Sequence, residues 1–68
     1  MSKGKVKWFS DLKGYGFITS VEDSNDVYVH HSDIRVDGYK TLKAGESVEY
    51  EVALTPQGLK AKNVVKAD

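Results

Sequence analysis

Two runs decide the reading of this chain: Lys13-Gly14-Tyr15-Gly16-Phe17-Ile18 and, after an acidic loop, Val27-Tyr28-Val29-His30-His31. Extended backbone alternates its side chains between two faces. As strands, these runs place Tyr15 and Phe17 opposite Ile18, and Tyr28 and His30 opposite Val27 and Val29. A small sheet has one core side. With Ile18, Val27 and Val29 in that core, Tyr15, Phe17, Tyr28 and His30 stand together on the outside. Flat rings on an open face flanked by lysines are surfaces on which unpaired nucleic-acid bases stack. The plainer reading, in which Tyr15 and Phe17 are core residues, is opposed by Ile18, because one strand of so small a protein cannot bury both of its faces.

Outward from these runs the punctuation is that of a small all-β protein. Segments rich in Val, Ile, Tyr, Phe and Thr alternate with clusters of Gly, Asp, Asn and Ser. Five strands are expected: Lys5 to Ser10, Tyr15 to Val21, Val27 to His30, Ser47 to Leu54 and Leu59 to Val65. Asp11 to Gly14, Glu22 to Asp26 and Thr55 to Gly58 form short turns, the last with Pro and Gly suitably placed for a β-turn. From His31 to Glu46 no two-residue period survives, so this stretch reads as a long crossing loop, with a helical turn at Ser32-Asp33-Ile34 and Ile34 pinned inward. Five antiparallel strands with one long return bury their apolar face by closing into a barrel, here of the OB type. The expected core is Val6, Ile18, Val27, Val29, Ile34, Val48, Tyr50, Val52, Ala61 and Val64. Strict alternation puts Trp8 on the same face as Val6, so Trp8 joins the outer aromatics only through a bulge or twist near Lys7.

A chain of 68 residues removes only about 60% of its unfolded surface from water, so its stability margin is thin. Without cysteine it has neither a disulfide framework nor a Cys-type zinc site, and it suits a reducing cytosol. No window approaches the roughly 20 apolar residues of a membrane span, nor is there a signal-peptide stretch. A soluble cytoplasmic protein with no membrane partner is the expectation. Ten basic and ten acidic side chains give a net charge of zero, but unevenly. Residues 1–21 carry +3 and residues 52–68 carry +2, whereas residues 22–37 carry −4. A basic face is therefore compatible with a neutral total.

Lys7-Trp8-Phe9, KGYGFI over residues 13–18, Asp26-Val27-Tyr28-Val29-His30, Gly38-Tyr39-Lys40-Thr41-Leu42 and Ala61-Lys62-Asn63-Val64 closely resemble a bacterial cold-shock protein. The resemblance runs end to end, so residues 1–68 read as a single cold-shock domain. KGYGFI is similar to the first ribonucleoprotein-type motif of that family and VYVHH to the second. The resemblance implies a five-stranded antiparallel OB barrel that binds single-stranded RNA and DNA with low sequence selectivity, as an RNA chaperone or transcription antiterminator. It implies a stacking platform of Trp8, Phe9, Tyr15, Phe17, Tyr28, His30 and Tyr39, with Lys7 and Lys13 near phosphates. The chain departs from the family pattern at Ser10, usually Asn; at His31, usually Phe; at Asp33, commonly Ala; and at Leu59-Lys60-Ala61-Lys62, usually a Gly-Pro-rich run with fewer charges. His31 offers a smaller, polar ring that still belongs to the expected binding face, and Lys60 and Lys62 offset this if they face the groove.

His30 and His31, adjacent on a strand, are expected to point to opposite faces. That disfavours a shared metal and a ribonuclease-like acid and base pair. No phosphate-binding loop, nucleophile elbow or carboxylate pair is present, so no catalytic residue, cofactor, metal or small-molecule substrate is expected. Two rival readings are a protein-interaction barrel that uses the aromatic face as a peptide groove and a His-dependent ribonuclease. The expected species is a monomer that holds about six nucleotides, within the range of about 4 to 16 for OB folds.

Overall fold

The structure, a computed structural model, describes residues 1–35 and 41–67. Strands β1 (Ser2–Ser10), β2 (Tyr15–Ser20), β3 (Asp26–His30), β4 (Ser47–Thr55) and β5 (Gly58–Lys66) form a closed barrel in the order β1-β2-β3-β5-β4. Each expected strand is present. Most run longer than the apolar pattern suggests, because backbone pairing continues where the side chains turn polar: Ser2 to Lys5 pair with Tyr50 to Ser47 across β1 and β4. The neighbours are antiparallel except where the barrel closes. There β3 meets β5 in parallel through Tyr28 and Lys60, and Ile34 bridges Val64 in the same sense.

The expected irregularity near Lys7 is present. Val6 pairs with Ile18 but Trp8 pairs with Phe17, so β1 has one residue more than β2 between these pairs. At the same point β1 leaves β4: the Val6 N–H donates to the Glu46 carbonyl at 2.9 Å, and the Gly45 N–H donates to the Val6 carbonyl at 2.7 Å. The bulge keeps Val6 in the core and turns Trp8 outward, 39% exposed. A single 3-10 turn, His31–Asp33, follows β3 and delivers Ile34 to the core.

Nine of the ten expected core residues are buried, and Leu42 from the crossing loop joins them. Val52 does not; it is 45% exposed. Its orientation follows the alternation, opposite the buried Ala61, but β1 pairs with β4 only as far as Tyr50. Beyond that point β4 has a neighbour on one side alone, and the inward face is no longer covered. A second register shift lies between Glu49 and Glu51, where Asn63 adopts a left-handed φ of 52° on β5.

Candidate nucleic-acid interface

The β1 bulge and the β2–β3 register together align one row of side chains across four strands. Trp8 pairs with Phe17, Phe17 with Tyr28, and Tyr28 with Lys60. Directly opposed residues on neighbouring strands share a face, so this is a continuous outer row of three rings ending in a cation. A second row runs beside it, with Ser10 opposite Tyr15 and Tyr15 opposite His30. The two rows interlock. Trp8 lies 5.6 Å from both Tyr15 and Phe17, Tyr15 lies 5.8 Å from Tyr28, and Phe17 lies 5.9 Å from Tyr28, all centroid to centroid. These are edge or tilted contacts, so the rings brace one another and still leave π-faces uncovered. All except Trp8, which is exposed, are half-buried.

Phe9 also belongs to the expected platform, but it is half-buried and packs against the core. Gly16 is the reason it can. A Cβ at Gly16 would collide with the Trp8 carbonyl oxygen and lie 2.7 Å from Phe9 Cα, so glycine lets β1 cross β2 closely at the centre of the platform. Tyr39 lies outside the described residues.

The two histidines are not on opposite faces, as strand alternation alone predicts. β3 ends at His30, and the 3-10 turn that begins at His31 brings the second ring round, so the centroids stand 4.2 Å apart with planes inclined at 35°. The His31 N–H donates to the Gly14 carbonyl at 2.9 Å. Gly14, at φ 81°, has no Cβ to strike the His31 ring, whose Cδ2 would be 2.7 Å away. His30 caps the turn: its Nδ1 accepts from the Ser32 N–H at 3.2 Å and lies 2.9 Å from Ser32 Oγ. An Nδ1 that accepts puts the ring proton of the neutral form on Nε2, which leaves a donor for a base edge or a phosphate. With centroids only 4.2 Å apart, the tilted rings leave no gap between them for a phosphodiester held by a general acid on one side and a general base on the other, and Ser32 rather than a carboxylate orients His30. Among the described residues no three His, Asp or Glu groups are placed to hold a metal ion.

The lysines are less free than their spacing suggests. Lys7 is paired with Asp26 at 3.0 Å and Lys60 with Asp33 at 3.6 Å, and Lys66 meets Glu46 at 3.2 Å. The acidic segment thus folds against the basic ones, and the expected lysine rim is partly neutralised. Lys13 and Lys62 are exposed. Lys60 also borders a groove of about 390 Å³ beside the Tyr28 ring, lined further by Thr55, Gln57 and Leu59. Sequence reasoning did not place Thr55 or Gln57 here, because their only signal was a turn.

A profile described as the 'Cold-shock' DNA-binding domain matches residues 2–67. The chain is 56% identical over 66 residues to the cold shock protein CspA of Staphylococcus haemolyticus, covering 97% of this chain and 98% of that protein. It is 53% identical over 64 residues to the cold shock-like protein CspA of Stigmatella aurantiaca, covering 94% of each. It is 46% identical over 68 residues to the cold shock-like protein CspD of Escherichia coli, covering 100% of this chain and 92% of that one. Among solved structures, drosophila Unr CSD456 superposes with a TM-score of 0.79 at 19% identity, over 98% of this chain and 26% of that one. That likeness concerns the fold.

Proposed function

The chain belongs to the cold-shock domain family, which binds nucleic acids, and from that premise we propose that it binds single-stranded RNA and DNA with low sequence selectivity by stacking bases on its outer aromatic face. The observation that carries this reading is the row Trp8, Phe17, Tyr28, three rings on three neighbouring strands with centroids 5.6 and 5.9 Å apart. Tyr15, His30 and His31 extend the platform. Every base has a π-face, so a stacking surface tolerates any sequence, and a duplex, whose bases are already stacked, gains nothing from it. Lys13 faces phosphate without an intramolecular partner among the described residues, and Lys7 reaches it by leaving Asp26.

A protein that holds unpaired bases and not duplexes shifts RNA hairpins toward the open form by mass action. This is the work of an RNA chaperone or antiterminator in the cytoplasm, and it needs no catalytic centre or cofactor. In this reading residues 1–68 act as a single cold-shock domain and as a monomer. Trp8 fluorescence titrated with oligo-dT, oligo-dA and duplex DNA at two salt concentrations tests the proposal. Quenching by the single strands is expected, with a salt slope equivalent to about two to four phosphate contacts at about 0.7 each. Quenching by the duplex alone, or a slope equivalent to about eight contacts, would overturn it.

A further inference from the structure

One carboxylate on the platform side of the molecule is held in an unusual way. Asp33 closes the 3-10 turn that carries His31, and its Oδ2 is buried without a hydrogen bond among the described residues. The cation that faces it is Lys60 Nζ, at 3.6 Å, too far for a hydrogen bond but close enough for strong attraction in a half-buried setting. Lys60 is also the fourth member of the row Trp8, Phe17, Tyr28, and it lines the groove beside Tyr28.

We propose that Asp33 is an affinity-setting residue: it sequesters Lys60 from the nucleic acid and lowers the strength of binding at the Tyr28 end of the platform. The inference deepens the stacking reading and rests on it. A phosphate that takes Lys60 must strip the ammonium from Asp33. That leaves the buried Oδ2 of a half-buried carboxylate without its counter-ion and, among the described residues, without a hydrogen bond, a costly state. The pair is therefore electrically neutral toward an approaching strand, and Lys60 adds little to affinity or to the salt slope while Asp33 is charged.

Asp33→Asn keeps the side-chain shape and removes the charge, and Asp33→Ala provides the same release should the amide fold poorly. Each is titrated with oligo-dT beside the native protein and the double variant Asp33→Asn/Lys60→Met, with urea unfolding to establish the folded fraction. Release of one partly buried ion pair is expected to tighten binding about threefold to tenfold and to steepen the salt slope by about 0.7, one single-strand phosphate contact. The double variant is expected to return to the native affinity and slope. Native or weaker affinity in both single variants would overturn the proposal, as would a double variant that keeps the gain, since Asp33 would then act without Lys60. A native protein that binds no single strand would remove the stacking reading itself, whereas native binding with no gain on releasing Lys60 removes this inference alone.

Discussion

Replacing Phe17 by alanine removes the middle ring of the row and leaves Trp8 and Tyr28, whose centroids lie 5.6 and 5.9 Å from the lost ring, without the group that braces both. A base stacked on a protein ring is worth about 1 to 3 kcal/mol by alanine substitution. At about 1.4 kcal/mol per tenfold, the dissociation constant for a single-stranded oligonucleotide should rise about fivefold to 150-fold. Stability should fall as well, because two aromatic contacts are lost, each worth about 0.5 to 1.5 kcal/mol. That is a large share of the roughly 3 to 5 kcal/mol a core of this size supplies, so the alanine variant alone could confuse unfolding with lost stacking. Phe17→Leu separates the two effects: it keeps apolar bulk between Trp8 and Tyr28 but has no flat face. Binding is measured by calorimetry with oligo-dT, since the substitution also changes the surroundings of the Trp8 fluorophore, and stability by urea unfolding. Phe17→Leu should retain most of the stability and lose about fivefold or more in affinity. Affinity within about twofold of native in a fully folded Phe17→Leu protein would refute base stacking at this position.

Two further outcomes test the framework that holds the platform. Gly16→Ala should destabilise the barrel by about 1 to 3 kcal/mol, because the new methyl would strike the Trp8 carbonyl and approach Phe9 Cα to 2.7 Å, backbone atoms that yield only if β1 and β2 separate; an unchanged urea midpoint would show that the close crossing is not required. Tyr50→Phe should be neutral or stabilising by about 1 kcal/mol, since the buried hydroxyl has no hydrogen-bond partner among the described residues. Burial pushes the Tyr50 phenol up and the Asp23 and Glu22 charges add to this; the nearby Ser20 hydroxyl offsets only part, since its contact with the phenol falls short of hydrogen-bond geometry. A folded-state value above the unfolded value of about 10 means that stability is fully present below that pH and is lost as pH rises through the folded-state value. The phenylalanine variant should therefore decline less steeply in urea midpoint above about pH 10, and equal slopes would count against the assignment.

The strands, the Trp8 bulge and the inward turn at Ile34 were legible because each leaves a mark on alternation. Val6 and Trp8 cannot both obey a two-residue period and be apolar for the same reason, so the sequence itself contains the irregularity that the β1–β2 register shows. Val52 carries the same mark as Val48 and Tyr50, yet it is exposed. Alternation fixes the side of a strand and not how far its neighbour extends, and β1 stops pairing at Tyr50. Leu42 was missed for the opposite reason: it is buried from a loop with no period to read. The parallel closure through Tyr28 and Lys60 joins positions far apart in the chain, and nothing local encodes it.

At the site, Tyr15, Phe17 and Tyr28 on β2 and β3 followed from alternation, but the pairing of the histidines and of the charges did not. His30 and His31 come together because the strand ends between them, a boundary that a run of apolar and aromatic residues does not announce. The charge segregation along the chain suggested a basic face. In space it is partly undone, since Asp26 comes against Lys7 and Asp33 against Lys60. Both pairs lie at the border of the aromatic rows, where Asp26 is also within 3.4 Å of Thr19 on β2. A platform on which Lys7 and Lys60 are already partnered draws less of its affinity from counter-ion release, because at those two positions a phosphate must first compete with a carboxylate for the ammonium. Binding then depends on how many rings are free to stack, and it should persist as salt rises. The modest salt slope expected here follows from the folded arrangement of the charges; the net charge of zero is compatible with it but does not by itself require it.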